Sequence, residues 1–565
     1  MRAVVELDRR RNRIALKCDY QDRELAKAIP GYKWDGTLKR WTYPIHPDTV
    51  RAVKEIFPLA DISLDVLEAI AEIAKRQKQV SKLKDAGWEK AEPLEPMPIK
   101  VKPFRHQVLG YNLGITLPAI GLLMEQGCGK SLTSVAIAGR RFLRSEVKRV
   151  LICAPSSVVP VWPKEFAEYA DFPNEVRTLE GPVKEREKTL ASWQPDPGTL
   201  QVAVVNYEST WRMEEALTKW KPDMIICDES QRIKTPGAKQ SKTLHRLGKL
   251  AKYRLILTGT PVTQSPLDFF SQYKFLDPNI FGDSFYAFKA RYAVEQPIGN
   301  TGAKKVIGYK NMTELVQKAH SIAFRVTKAE ALDLPEQVDQ VLYATLEPKA
   351  QKLYNQMLRE SVAELSEEKT ITAPNILSRL LRLSQLSGGF VGGEGEVEQV
   401  STAKLHLLQE TLDDLLDTGK KVVIFARFIP EIEAILDLLK ERSVDYAWIT
   451  GAVPQSERGP AVERFQKDED CRVFVAQLQT AGLGITLTAA DTAIFYSLDY
   501  SYANYEQCRA RIHRIGQRNT CTYIHLVARG TVDENVMEAL RKKKNVADLV
   551  VDNWKKFFEK KGEGQ

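Results

Sequence analysis

The chain has no cysteines paired closely in sequence. Cys18, Cys128, Cys153, Cys227, Cys471, Cys508 and Cys521 stand singly and no C-x-x-C motif occurs, which excludes the usual zinc ligand spacings and a disulfide framework. Cys153 and Cys227 sit inside apolar runs, where small core residues are expected. No apolar stretch approaches the ~20 residues needed to span a bilayer, and the opening MRAVVELDRRRNR lacks the apolar core of a secretory leader. Low-complexity tracts are also missing. Aromatics make up 8% of the chain, against 27% charged and 43% hydrophobic residues, a globular rather than a disordered balance. These absences predict a protein of the reducing cytoplasm with no membrane contact.

At 565 residues the chain is long enough for about three or four domains, each with its own core. The net charge of +9 fits a polyanionic partner, though many enzymes are as basic. The excess is unevenly spread: residues 1–60 carry 13 Lys and Arg against 8 Asp and Glu. This basic, aromatic-rich unit precedes a helical stretch over 61–98 that ends in PLEPMP. From 99 to 275, short apolar runs (GLLM, RVLICAP, VAVVNY, MIICDE, RLILTGT) alternate with helical stretches. Continuous apolar runs of this length suit parallel strands buried on both faces, so a doubly wound α/β lobe is expected. Residues 276–400 read as helical insertions with one hairpin, PIGNTGAKKVIGYKN, and a flexible connector, SGGFVGGEGEVE. The strand rhythm returns over 401–545 in KVVIFARF, YAWIT, RVFVAQ, AIFYSL and TYIHLV. A basic tail, 546–565, closes the sequence as a fraying helix. The predicted fold class is therefore α/β, with two doubly wound parallel-sheet lobes, helical insertions and a small α+β amino-terminal module.

Three short segments carry chemistry. Gly127-Cys128-Gly129-Lys130-Ser131 follows a strand and opens a helix. Glycines let backbone N–H groups curl around phosphate oxygens, Lys130 would bridge the outer phosphates, and Ser131 would hold Mg²⁺. Met124 replaces the first glycine of the usual pattern, and such a piece alone is also an ordinary turn. Asp228-Glu229-Ser230-Gln231 ends a strand, where carboxylates face the ligand crevice; Asp228 would bind Mg²⁺ and Glu229 would activate water. The plain alternative is a helix cap. Arg511 and Arg514 share one helix face at i, i+3 and could stabilise charge on a transferring phosphoryl group. A solvated basic face is the other reading of R-x-x-R.

In order along the chain, these pieces resemble helicase superfamily two, specifically its Swi/Snf branch. Phe104-Arg105-His106-Gln107 resembles the adenine-reading Q motif, MEQGCGKS motif I, and Ala154-Pro155-Ser156-Ser157 with Trp162 and Glu165-Phe166 motif Ia. Asn206-Tyr207-Glu208 resembles motif Ib, DESQRIKTPGAKQSK motif II, and Leu257-Thr258-Gly259-Thr260-Pro261 motif III. IFARF, the run Gln479 to Asp491, RIHRIGQ and Gly530-Thr531-Val532-Asp533-Glu534 resemble the later motifs. The resemblance covers about residues 100–545 and implies two RecA-like lobes with ATP between them. It also implies Lys130, Asp228, Glu229, Arg511 and Arg514 as catalytic groups. Arg105, Gln107, Gly127, Cys128, Gly129, Ser131, Gln231, Gly482, Gly484 and Asp491 would surround the nucleotide. Ser156, Ser157, Trp162, Asn206, Tyr207, Thr258, Thr260 and Thr480 would grip DNA through phosphates, without a base code and with strong salt dependence.

Gln231 stands where the family usually has His, and no chromatin-reading module is visible, so a compact bacterial or phage enzyme is expected. Residues 29–44 resemble the HARP-like module of annealing helicases. There Trp34, Arg40 and Trp41 would contact exposed bases and phosphates at forks, or the two tryptophans belong to the module's core. The expected activity is a DNA-stimulated ATPase translocating on duplex DNA, acting as a monomer. The alternatives are a strand-separating helicase and a motor that displaces a protein such as RNA polymerase.

Overall fold

The computed structural model describes residues 3–547, other than 10–12, 30, 195, 299–303, 368–372, 393–396 and 481–484. The expected basic tail and its fraying helix lie almost wholly outside the described residues.

The amino-terminal module is a five-stranded sheet of β1 (Val4–Asp8), β2 (Arg13–Lys17), β3 (Lys33–Asp35), β4 (Arg40–Pro44) and β5 (Asp61–Ile62), in the order β3-β4-β2-β1-β5. Alternate side chains of β1, β2 and β4 meet the helix Pro47–Ile56 in a small core of Val5, Ile14, Leu16, Tyr43 and Val53. The last strand falls just past the expected boundary at residue 60. The segment after it is not a free linker. Its helix, Leu64–Asp85, gives Val80 to the core of the next lobe. Lys84 donates to the carbonyls of His320 and Ser321, and burial pushes its amine down to about 8.

The first lobe is built on β6 (Ala119–Met124), β7 (Arg149–Ala154), β8 (Asn174–Thr178), β9 (Leu200–Asn206), β10 (Met224–Asp228) and β11 (Tyr253–Leu257). An antiparallel ribbon follows, β12 (Ala293–Pro297) with β13 (Lys304–Tyr309), at the expected hairpin. Then β14 (Ala323–Val326) returns to pair with β6. The completed parallel sheet runs β14-β6-β11-β10-β7-β9-β8. Its two faces feed separate cores: on β7, Leu151 and Cys153 pack into one while Val150 and Ile152 pack into the other. This is what a continuous apolar run requires of a strand covered on both sides.

The second lobe opens with β15 (Gln337–Ala344) and continues past the small pair β16 (Phe390–Gly392) and β17 (Val397–Gln399). It is completed by β18 (Val422–Ala426), β19 (Tyr446–Ile449), β20 (Val473–Gln477), β21 (Thr492–Phe495) and β22 (Cys521–Ala528). These form a parallel sheet of order β15-β22-β21-β18-β20-β19. Two strands, β14 and β15, thus come from the 276–400 region expected to hold only insertions. Both lie at sheet edges; β15 is largely exposed along its length and the buried β14 is interrupted by Arg325, so neither shows the unbroken apolar run of a central strand.

Because all strands of a lobe are parallel, their carboxyl ends lie on one edge. Register pairs Asp228 with Leu257, and Leu257 with Leu122, so the turns after β6, β10 and β11 open side by side. The helix after β6, Lys130–Leu143, lies close on its neighbours. A Cβ on Gly139 would sit 2.2 Å from the ring of Phe172. Gly139→Val overfills this contact and is expected to cost about 1–3 kcal/mol, read as a lower urea midpoint for the lobe at unchanged slope. An unaltered midpoint would mean that Phe172 has free space to leave.

Candidate active site

The turn from β6 into the helix Lys130–Leu143 forms a loop around its own lysine. Gly127 and Gly129 hold φ of 86° and 82°, a region closed to most side chains. Gly129 is doubly constrained, since a Cβ there would lie 2.0 Å from Gln107 Nε2. Gln107 braces the loop: its amide donates to the Cys128 carbonyl at 3.2 Å and accepts from Phe104 N–H at 2.9 Å. His106 donates to the same carbonyl at 2.9 Å. Lys130 donates to the carbonyls of Met124 at 2.9 Å and Glu125 at 3.3 Å, which puts the ammonium inside the loop. The Cys128 side chain points into the core, and burial pushes its thiol up to about 11. Its part in the loop is therefore a backbone one.

Beside the loop, at the end of β10, Asp228 accepts from the N–H of Glu229 at 2.9 Å. Burial, then the neighbouring Glu229, raises the Asp228 carboxyl above its usual range, and Lys130 opposes the shift. Glu229 has a left-handed backbone, φ 49°, an uncommon state for a side chain of this kind and one that clusters at working sites. Gln231 donates to the Glu229 carboxylate at 2.7 Å and accepts from the Thr258 hydroxyl at 2.8 Å. The Thr258 hydroxyl accepts in turn from Thr260 N–H at 3.0 Å. A chain of polar groups thus joins the turn after β10 to the turn after β11. Gln231 stands in that chain rather than in direct line with the loop.

The second lobe faces this edge with the helix Tyr502–Ile512 and the turn after it. Arg514 donates to Thr486 Oγ1 at 2.9 Å, and its Cβ lies 3.6 Å from the position a Cβ would take on Gly127. Arg511 is buried, with its Nε unpartnered. Burial, then the adjacent Arg514, brings Arg511 down to about 10, and Glu229 across the junction opposes the shift. Burial also lowers Arg514, with Glu165 and Tyr169 opposing. The structure therefore brings Lys130, Asp228, Glu229, Arg511 and Arg514 to one junction between the lobes.

Glu165 joins them, though it was noted only as part of a motif. Burial, then Glu168, pushes its carboxyl up to about 7; a hydrogen bond from Ser131 and the charge of Arg514 pull it back. Its signal was the spacing from Trp162, three residues earlier on one helix, since i and i+3 share a face and Trp162 is buried.

Several expected contacts fail on geometry. Trp162, Tyr207 and Thr258 are buried at 1%, 1% and 0% exposure and cannot meet DNA; Tyr207 instead donates to the Asp228 carbonyl at 2.7 Å. Arg105 is exposed and turns to the Glu89 carbonyl, away from the loop. Asp491, at the start of β21, is engaged by Lys420 at 3.2 Å, Thr492 at 2.8 Å and Asn519 at 3.2 Å. Gly482 and Gly484 lie outside the described residues. Ser156, which accepts from Asn206 at 3.1 Å, stays exposed, and Ser157 and Thr480 are half-buried. Thr260 keeps a buried hydroxyl without a partner. In the amino-terminal module Trp41 is core, Arg40 is tied to Asp8 and to Asp35, and Trp34 is 53% exposed. No helix among the described residues is long and apolar enough to cross a membrane.

The helicase conserved C-terminal domain matches residues 403–516. The chain is 26% identical to the DNA repair and recombination protein RAD54-like of Drosophila pseudoobscura pseudoobscura, over 76% of its own length and 60% of that protein. It is 29% identical to the DNA annealing helicase and endonuclease ZRANB3 of Mus musculus, over 76% and 39%. The chain spans about two-fifths to three-fifths of the first curated relatives. Among solved structures, the Sulfolobus solfataricus SWI2/SNF2 ATPase core in complex with dsDNA matches at 26% identity and a TM-score of 0.39, covering 82% of this chain and 95% of that one. The SNF2-related domain matches residues 104–387, just over half of the sequence, and the chain belongs to that family.

Proposed function

We propose that the protein is a DNA-stimulated ATPase that translocates on double-stranded DNA. The observation that carries this reading is the divided site: the phosphate loop and carboxylates stand on one lobe and Arg511 and Arg514 on the other. Turnover then requires the lobes to meet, and a polymer held by both can govern how they meet.

The residues fit a nucleoside triphosphate with Mg²⁺. The loop leaves Gly127 and Gly129 without side chains, the helix Lys130–Leu143 turns its free N–H groups to the same place, and Lys130 is already inside. Ser131 and Asp228 offer the oxygen donors a hard cation takes. Bound there, Mg²⁺ supplies neutralising charge on the phosphate oxygens. Glu229, fixed by Gln231, orients a water and takes its proton. Arg511 and Arg514 stabilise charge on the phosphoryl group in transit, where desolvation strengthens them. Gln107 reads the base edge while bracing the loop.

Ser156, Ser157, Asn206 and Thr480 remain the candidates for phosphate contact, which carries no sequence code. Trp34, exposed beside Tyr32 and Lys33, offers a stacking surface for unpaired bases, and so a preference for forks. One observation favours strand separation as the second reading: the ribbon β12–β13 leaves Ile307 57% exposed with Tyr309 beside it, a shape suited to a wedge. Displacement of a third strand from a triplex against unwinding of a duplex separates the two readings.

The deciding experiment is ATP turnover with duplex, single-stranded and forked DNA and with RNA, side by side. Duplex is expected to stimulate strongly, and a rate indifferent to every nucleic acid would sink the reading. Lys130→Ala and Glu229→Gln should each abolish turnover while filter binding to DNA persists; turnover surviving either change removes the assigned site. Gln231→Ala should lower kcat about tenfold or more, the size of one charge-assisted hydrogen bond, with KM for ATP little changed. A purely KM effect would place Gln231 on the nucleotide instead. Trp34→Ala should flatten the preference for forked over plain duplex DNA and leave duplex-stimulated turnover intact, and an unchanged ranking of substrates would discard the fork-reading role.

A further inference from the structure

The segment between the lobes makes contacts that the proposed site does not use. Lys328, two residues past β14, is buried. Its backbone N–H donates to the Glu125 carboxylate at 2.6 Å, and its ammonium donates to the His513 carbonyl at 2.8 Å. Glu125 opens the phosphate loop. His513 caps the helix Tyr502–Ile512 and stands between Arg511 and Arg514. The Lys328 side chain also passes 3.7 Å from where a Cβ on Gly127 would be. One residue of the interlobe segment therefore touches the loop of one lobe and the arginine turn of the other.

Two further threads tie the same helix to the segment and to the start of β15. The His513 ring donates to the Pro335 carbonyl at 2.9 Å. Arg509 donates to Gln337 Oε1 at 3.1 Å and to Asp339. Between these threads lies a cavity of about 560 Å³, lined by Gln126, Thr260, Glu506 and the segment itself. The segment thus has room to shift without breaking a packed core. Burying an ammonium is costly unless its donors are used. Here one is spent on a carbonyl at the end of a helix, where backbone acceptors lack helical partners and the dipole is negative.

We propose that Lys328 is a positioning residue that transmits the set of the phosphate loop to Arg511 and Arg514, so that placement of the arginines follows nucleotide binding. The proposal rests on the ATPase reading above and deepens it: the interlobe segment acts as a physical lever and not merely as a tether. Glu125 is the input end, His513 the output end, and Lys328 is bonded to both, to Glu125 through its backbone N–H and to His513 through its ammonium.

Lys328→Met keeps length and bulk and removes the donor; Lys328→Arg keeps a donor. Both are made in the full chain, and three quantities are measured: duplex-stimulated ATP turnover, affinity for a fluorescent ADP analogue, and melting temperature. The Met variant is expected to lose kcat about tenfold or more, the scale of one charge-assisted hydrogen bond. Its ADP-analogue affinity and KM should stay near wild type, and the Arg variant should recover part of the loss. A Met variant with wild-type kcat overturns the proposal. So does a loss of kcat matched by equal losses of nucleotide affinity and melting temperature, which marks a pillar of the fold rather than a lever. Wild-type protein that turns over no ATP overturns the ATPase reading itself, and the lever with it, before any variant is compared.

Discussion

Arg514 packs against Gly127 across the junction of two sheets that share no strand, and the rest of the site is arranged around that contact. It places two arginines, Arg511 and Arg514, in a desolvated space, where burial lowers both and Arg514 lowers Arg511 further. Such a pair is unfavourable unless negative charge lies within reach. Within the protein that charge comes from the opposite lobe, as Glu229 toward Arg511 and Glu165 toward Arg514. That opposing influence acts across the junction. It also pulls on the same arginines that a triphosphate would claim in the proposed reading, so nucleotide and carboxylates compete for one pair of cations.

The parallel sheet is what makes the other half of the site possible. With every strand running the same way, the turns after β6, β10 and β11 open on one edge, and no long loop has to carry the chemistry there. The chain of Glu229, Gln231, Thr258 and Thr260 shows the benefit. Three side chains and the backbone N–H of Thr260, spread over 31 positions in sequence, form a continuous polar path because β10 and β11 are neighbours in register. A carboxamide suits the middle of that path: it offers one donor and one acceptor at once and holds them at any pH, whereas an imidazole in the same place would change its donor count as it titrates.

Most of the central strands and the loop residues were legible from the sequence, because an apolar run of four to six residues has few other uses and because glycines beside a lysine after such a run suggest a phosphate turn. The edge strands β14 and β15 were not, since β14 is a short buried strand interrupted by Arg325 and β15 is largely exposed. Motif membership also failed to tell which way a side chain points. Trp162, Tyr207 and Thr258 sit in the expected segments, yet their rings and hydroxyl turn inward, beside the exposed Ser156 and the half-buried Asn206. Arg105 and Gln107 are two residues apart on a helix and so lie on different faces; only Gln107 meets the loop.

The same logic explains why Lys328 could not be given its place from sequence and why Glu165 could be given only its helix face. Neither belongs to the lobe it acts on. Glu165 is aimed by the burial of Trp162 toward an arginine more than three hundred residues away, and Lys328 reaches a carbonyl, which every residue possesses and no pattern marks. Contacts of this kind exist only once two independently folded sheets are set against each other. Each is a single hydrogen bond or electrostatic contact rather than a packed core. A junction held by several such threads around an open cavity can open and close without unfolding either lobe, which is the property the proposed motor would need from the seam between its halves.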